Sequence, residues 1–151
     1  MSFLGLCNFS RSWIPEFASL VEPLQSMIYG RNLGLKDKIQ WTPAAEEAFS
    51  NLKLALQTNT VLALPDYEKP FYLHVDGGAG YMKAVLTQAF GEKQRPLAFY
   101  SCKLDSVASG LPTCVQACAA AAEAVKKPQR KTVTSTHTCR ALMIGFLFLF
   151  V

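Results

Sequence analysis

The chain has 151 residues, half of them hydrophobic and 17% charged, which excludes a disordered polyelectrolyte and suffices for one small domain with attachments. Its formal charge of +4 is too small for a dedicated nucleic-acid arm, and it is unevenly placed. Residues 1–127 hold 12 Lys/Arg and 11 Asp/Glu, a balance of +1, while Arg130, Lys131 and Arg140 add +3 with no acid among residues 128–151.

The ends and the cysteines narrow the class further. The start, Met1 to Cys7, lacks a basic region, so no secretory signal is expected. The apolar run Ala141–Val151 is shorter than the roughly 20 residues of a spanning helix. Cys7, Cys102, Cys114, Cys118 and Cys139 contain no C-x-x-C pair, which argues against a disulfide framework and a structural zinc site. Cys114 and Cys118, four apart, read as two small buried side chains on one helix face. The expectation is a reduced, intracellular, cytoplasmic protein without a membrane segment.

In chain order, Phe9, Trp13, Phe17, Leu20, Leu24 and Met27 follow one another at helical spacing, with Pro15 and Pro23 predicted to break the run into two short helices. Gly30–Gly34 has turn chemistry. Thr42-Pro43 opens the clearest helix, with Thr42 as N-cap, Glu46 and Glu47 near its positive end, and a stop near Gln57–Asn59. Its apolar stripe is Ala45, Phe49, Leu52 and Leu56. Leu64–Pro70 is a rigid turn. Three strands are then predicted, Phe71–Asp76, Tyr81–Gln88 and Arg95–Lys103, joined by a reversal at Gly77–Gly80 and a polar loop at Ala89–Gln94 into an antiparallel meander. Pro112-Thr113 opens an alanine-rich helix ending at Lys127 before Pro128. Beyond it, Lys131–Arg140 has no periodicity, and residues 128–151 read as an unrelated, disordered ending, of frameshift or splice origin.

The ordered series Trp41-Thr42-Pro43, Ala48-Phe49, Leu52-Lys53, Leu64-Pro65-Asp66, Lys69-Pro70-Phe71 and Val75-Asp76 resembles the ribonuclease H-like segment of retroviral and retrotransposon Pol proteins. Ala84–Gln88, Arg95–Ser101 and Lys103-Leu104-Asp105 continue the resemblance, and Phe3-Leu4-Gly5, Ile14-Pro15 and Pro23-Leu24 are similar to the end of the reverse-transcriptase thumb. The likeness spans roughly residues 3–127 and is greatest to the gammaretrovirus-like branch, endogenous copies included. It implies an α/β fold, a mixed sheet with helices on its faces, here a truncated ribonuclease H-like fold preceded by short thumb helices. Residues 1–35 would be the thumb end, 36–127 the connection-type domain, and 128–151 the foreign ending, with the sheet left unpaired where a fourth strand should add and stability marginal in consequence.

Ribonuclease H chemistry uses two Mg²⁺ ions held by converging carboxylates. The resemblance places Asp76 at the first carboxylate position and Ala117 where active relatives carry the helix Glu, and no acid follows Glu123. Asp76 is thus the one candidate metal ligand, and it also suits a strand-end residue capping Gly77-Gly78. His74 reads as a packed strand histidine, and Lys83 and Asp105 as surface residues. No cofactor is expected, Mg²⁺ entering only with residual nuclease activity. The first reading is a Pol fragment without catalysis, whose parent handles an RNA–DNA hybrid and whose own nucleic-acid affinity is weak. The alternatives are a residual ribonuclease H or RNA-directed DNA polymerase component of a larger Pol assembly, and an interaction domain adopted by a host.

Overall fold

Prolines and caps set the N-terminal helices. The computed structural model describes residues 2–29, 38–58, 61–129 and 139–143. Within it α1 covers Phe3–Phe9 and α2 covers Phe17–Ile28. Pro15 separates them as expected, but Pro23 lies inside α2 instead of breaking it. A proline there forfeits one backbone hydrogen bond, to the Ser19 carbonyl. The buried stripe Phe17, Val21, Leu24 and Met27 holds the helix in place despite that loss. α3, Pro43–Gln57, forms as expected: the Thr42 hydroxyl accepts from the Ala45 amide at 3.3 Å, and Thr58 ends the helix.

The three helices make a core of their own from Cys7, Ile14, Phe17, Val21, Leu24, Met27, Ala45, Ala48 and Leu52. The boundary expected at residues 35/36 therefore precedes α3 in sequence, whereas the packing joins α3 to α1 and α2. The expected turn at Gly30–Gly34 lies outside the described residues.

The meander forms with longer strands and tighter turns than expected. β1 is Phe71–Gly78, β2 Tyr81–Phe90 and β3 Lys93–Lys103, each antiparallel to the next. Gly77 and Gly78 pair with Met82 and Tyr81, so the reversal shrinks to Ala79-Gly80. Both have positive φ (53° and 78°), the backbone that a two-residue hairpin requires. The expected loop Ala89–Gln94 shrinks likewise to Gly91-Glu92, because Phe90 pairs with Lys93 and Gly91 supplies a φ of 65°.

Asp105 accepts from the Ala108 amide at 2.8 Å and caps α4, Ser106–Ser109, an element the sequence did not announce. α5, Thr113–Gln129, runs through the expected stop at Pro128. A proline removes only its own N–H bond, a small loss in the last turn of a long helix. Cys114 and Cys118, expected to be buried, are exposed because the helix turns Ala117, Ala120 and Ala124 to the core instead. α5 lies on β1, and together with α4 it closes a second core around Leu73, Val75, Met82, Ala84, Leu104, Ala120 and Ala124.

A fourth strand, β4 (Cys139–Met143), pairs in parallel with β1 from Phe71↔Cys139 to Val75↔Met143, and the sheet order is β3-β2-β1-β4. This corrects the expected unpaired edge beside β1: residues assigned to the foreign ending fill it. Parallel neighbours require a crossover, and α5 supplies it. The signal was missed because five residues containing Arg140 show no clean alternation. The remainder of the expected disordered ending lies outside the described residues.

Gly77 governs how closely α5 approaches the sheet. A Cβ there would stand 2.6 Å from Ala120 Cβ and 3.3 Å from Ala117 Cα. Gly77→Ala should destabilise the protein by about 1–3 kcal/mol through overpacking. Urea denaturation should show that loss, and Ala120→Gly should recover part of it in the double variant. Additive losses would mean that the two positions do not share the contact.

Candidate functional site

Strand alternation sorts the candidates onto two faces. Phe71, Leu73 and Val75 are buried on the face that carries α5. Tyr72, His74 and Asp76 occupy the other face, and Asp76 is exposed near the end of β1. Gly77 and Gly78 continue the strand, so Asp76 does not cap a glycine turn. Across the ladder it stands opposite Lys83, whose ammonium pairs with Glu16 Oε2 at 3.1 Å.

Glu16 comes from the link between α1 and α2. Its φ of 54° is left-handed, a conformation that costs a non-glycine residue about 1–2 kcal/mol. Its carbonyl accepts from the Ser19 amide (3.1 Å), the Leu20 amide (3.2 Å) and the Ser19 hydroxyl (2.8 Å), which hold the strained residue. Pro15 and Glu16 thus overhang the sheet and leave a cleft of about 200 Å³ lined also by His74, Asp76, Val85 and Phe99.

Polar contacts fix the overhang. The Phe99 amide donates to the Ser12 carbonyl at 2.9 Å and the Ala18 amide to Ser101 Oγ at 2.9 Å, covering the outer edge of β3. Lys103 pairs with Glu22. The Lys103 ammonium, and after it the Tyr81 hydroxyl, hold the Glu22 carboxyl below its ordinary range, and Glu22 in turn raises Lys103. Lys83, read from sequence as a plain surface residue, belongs to this set.

Three residues place the rest of the chemistry. His74 Nε2 lies 3.0 Å from Thr87 Oγ1, and that hydroxyl donates onward to Gln94 Oε1 at 3.0 Å or the Tyr72 carbonyl at 3.4 Å. Ala117 is buried on the sheet side of α5, directly over Gly77. Its neighbour Gln116 spends its amide on the Ser109 and Leu111 carbonyls, at 2.9 and 2.8 Å. Glu123 pairs with Lys126 at 2.7 Å, and that ammonium holds its carboxyl below the ordinary range. Among the described residues no three His, Cys, Asp or Glu side chains converge to hold a metal ion. Ala117 of α5 lies over Gly77, next to Asp76 on β1, and the one acid of α5, Glu123, is paired with Lys126, so no second carboxylate joins Asp76 from the helix.

Sequence reasoning missed Gln88, which is wholly buried. Its Oε1 accepts from the Asp66 amide at 2.9 Å, and its Nε2 donates to the Asp66 and Lys69 carbonyls at 2.6 and 3.2 Å, pinning the turn before β1. A glutamine next to the apolar run Ala84-Val85-Leu86 of β2 was the available signal. Glu16 carried none, since nothing in Pro15-Glu16-Phe17 announces a left-handed residue.

Strain and ion pair make opposed contributions at Glu16. The half-exposed pair with Lys83 is worth about 0.2–1 kcal/mol, less than the backbone strain. Glu16→Gly should therefore unfold at a higher temperature than Glu16→Ala, which loses the pair and keeps the strain. Thermal melts followed by circular dichroism compare the two, and equal midpoints would show that Glu16 bears no strain.

Comparison with known proteins accords with this architecture. A family model for the RNase H-like domain found in reverse transcriptase matches residues 41–138, beyond the junction read at Lys127. The Gag-Pol polyprotein of avian reticuloendotheliosis virus is 43% identical over 147 residues, covering 93% of this chain and 12% of the polyprotein. The Gag-Pol polyprotein of koala retrovirus is 46% identical over 133 residues, covering 87% of this chain and 8% of the polyprotein. The chain thus spans about a tenth of the length of these curated relatives. A foamy viral protease-reverse transcriptase solved with double-stranded DNA superposes with a TM-score of 0.76 at 20% identity, over 95% of this chain and 24% of that one. The same enzyme solved with an RNA/DNA hybrid gives 0.73 at 20% identity, over 94% of this chain and 19% of that one. Among the described residues no helix is long and apolar enough to cross a membrane. The chain belongs to the retroviral Pol family, as a segment carrying the RNase H-like domain found in reverse transcriptase.

Proposed function

We propose that this chain is a non-catalytic, connection-type module of Pol that supports the handling of an RNA–DNA hybrid by its parent without cleaving it. The observation that carries the reading is Ala117. It is buried over Gly77 at the helix position where the family resemblance calls for a Glu. Two-cation hydrolysis needs several oxygen ligands converging from different elements. Here Asp76 stands without a second carboxylate from α5, and the charge opposite it on β2 is the cation Lys83. These residues do not fit a pair of divalent ions, so no hydrolytic step is assigned to them. The solved relatives that hold double-stranded DNA and an RNA/DNA hybrid share the fold, which supports the nucleic-acid part of the reading.

The purified chain with Mg²⁺ should leave an RNA–DNA hybrid intact. Cleavage abolished by Asp76→Asn would overturn the proposal. Binding should also be weak, with a shallow salt dependence. Residues 1–127 have a formal balance of only +1, and Lys69, Lys83, Lys103 and Lys126 are each paired with a carboxylate at 4 Å or less, so the net attraction for a phosphate backbone is small. A plot of log affinity against log salt whose slope indicates about six or more phosphate contacts would contradict this.

A further inference from the structure

The cleft between the Pro15–Glu16 overhang and the open face of the sheet has a consistent chemistry. Its polar lining is rich in acceptors. The carboxylates of Glu16 and Asp76 face one ammonium, that of Lys83, which Glu16 already engages at 3.1 Å. Asp76 is exposed and makes no ion pair among the described residues. The balance of formal charge in the cleft is therefore one negative.

His74 also lines the cleft. Thr87 Oγ1 has a single hydrogen and two carbonyl oxygens, of Gln94 and Tyr72, to receive it. His74 Nε2 lies within hydrogen-bond distance of that hydroxyl, as donor or acceptor according to the ring's tautomer. Phe99, Val85 and Pro15 supply an apolar and aromatic wall. A cleft with acceptors at its rim, an aromatic face and one net negative charge is complementary to a flat, donor-rich cation. Guanidinium meets all three conditions: it presents five N–H donors in a plane, keeps its charge, and stacks on aromatic rings. An ammonium group brings the charge and three N–H donors but no plane to lie flat on the ring, and a phosphate, an anion without N–H donors, meets none of the conditions. The position of the cleft also favours a binding role, because pockets for guests occur preferentially where separately packed units meet. One core lies under α1, α2 and α3 and the other under the sheet, and Glu16 is held over the gap in a strained conformation that its local carbonyl bonds maintain.

We propose that this cleft is a docking site for an arginine side chain presented by a partner polypeptide, with Asp76 taking the guanidinium through its carboxylate and Phe99 stacking against its plane. The inference is independent of the nucleic-acid reading, since it concerns a cationic guest on an acidic cleft.

The test uses the full chain labelled with ¹⁵N and three short blocked peptides, Gly-Arg-Gly, Gly-Lys-Gly and Gly-Glu-Gly. The arginine peptide should shift the amide signals of residues 16, 76 and 83 saturably and bind at least about fivefold more tightly than the lysine peptide, with the glutamate peptide inert. Asp76→Asn should weaken arginine binding about fivefold or more. Phe99→Leu, which retains the volume of an apolar wall, should reduce the preference for arginine over lysine while the protein stays folded. Equal binding of the arginine and lysine peptides would overturn the proposal. So would arginine binding that survives Asp76→Asn in a folded variant, or shifts confined to residues outside the cleft.

Discussion

The approach of α5 to β1 at Gly77 is the constraint on which the sheet depends. A strand without a Cβ at that point lets two alanines of the helix sit against backbone. That close approach brings the crossover helix down on β1, and the crossover in turn sets β4 alongside β1 in the parallel sense. Ala117 lies buried at that contact and carries no carboxylate, so no partner for Asp76 comes from that position of α5.

The second organising feature is the division of the apolar side chains into two cores. α3 precedes the sheet directly in sequence, yet it packs with α1 and α2. What joins the two bodies is mostly polar: the Ser12, Ser101, Glu16 and Glu22 contacts to β2 and β3. These contacts protect an otherwise open strand edge. They also leave a cleft between the bodies, because ion pairs and single hydrogen bonds hold surfaces together at points and do not fill the volume between them as interlocked side chains do.

Much of this was legible in the residues. The Thr42-Pro43 start of α3, the alternation of Phe71, Leu73 and Val75, and the alanine-rich α5 were all readable because each signal is local: a cap, a period of two, a helix propensity. The turn lengths were overestimated because glycine and polar residues look like loop even when they pair, as Gly77, Gly78, Ala89 and Gln94 do. Pro23 and Pro128 were read as stops because proline's cost is local, whereas the apolar stripe that outweighs it at Pro23 is set by packing. The candidate site was half readable. Asp76 and Ala117 followed from the family pattern, but the Glu16–Lys83 pair and the bonds of Gln88 to Asp66 and Lys69 form only between residues far apart in the chain.

By itself the sequence determined α1, α2, α3 and α5, the three strands of the meander, the family, and the concentration of net charge in residues 128–151. Those are properties of residue type and spacing. Only the tertiary structure decided that residues 139–143 belong to the sheet, that α3 shares the N-terminal core, and that Glu16 overhangs Asp76 and His74. The physical reason is that a short parallel strand has no pairing signal of its own. Its hydrogen bonds are made with β1, more than sixty residues earlier, and become available only after α5 has packed against the sheet.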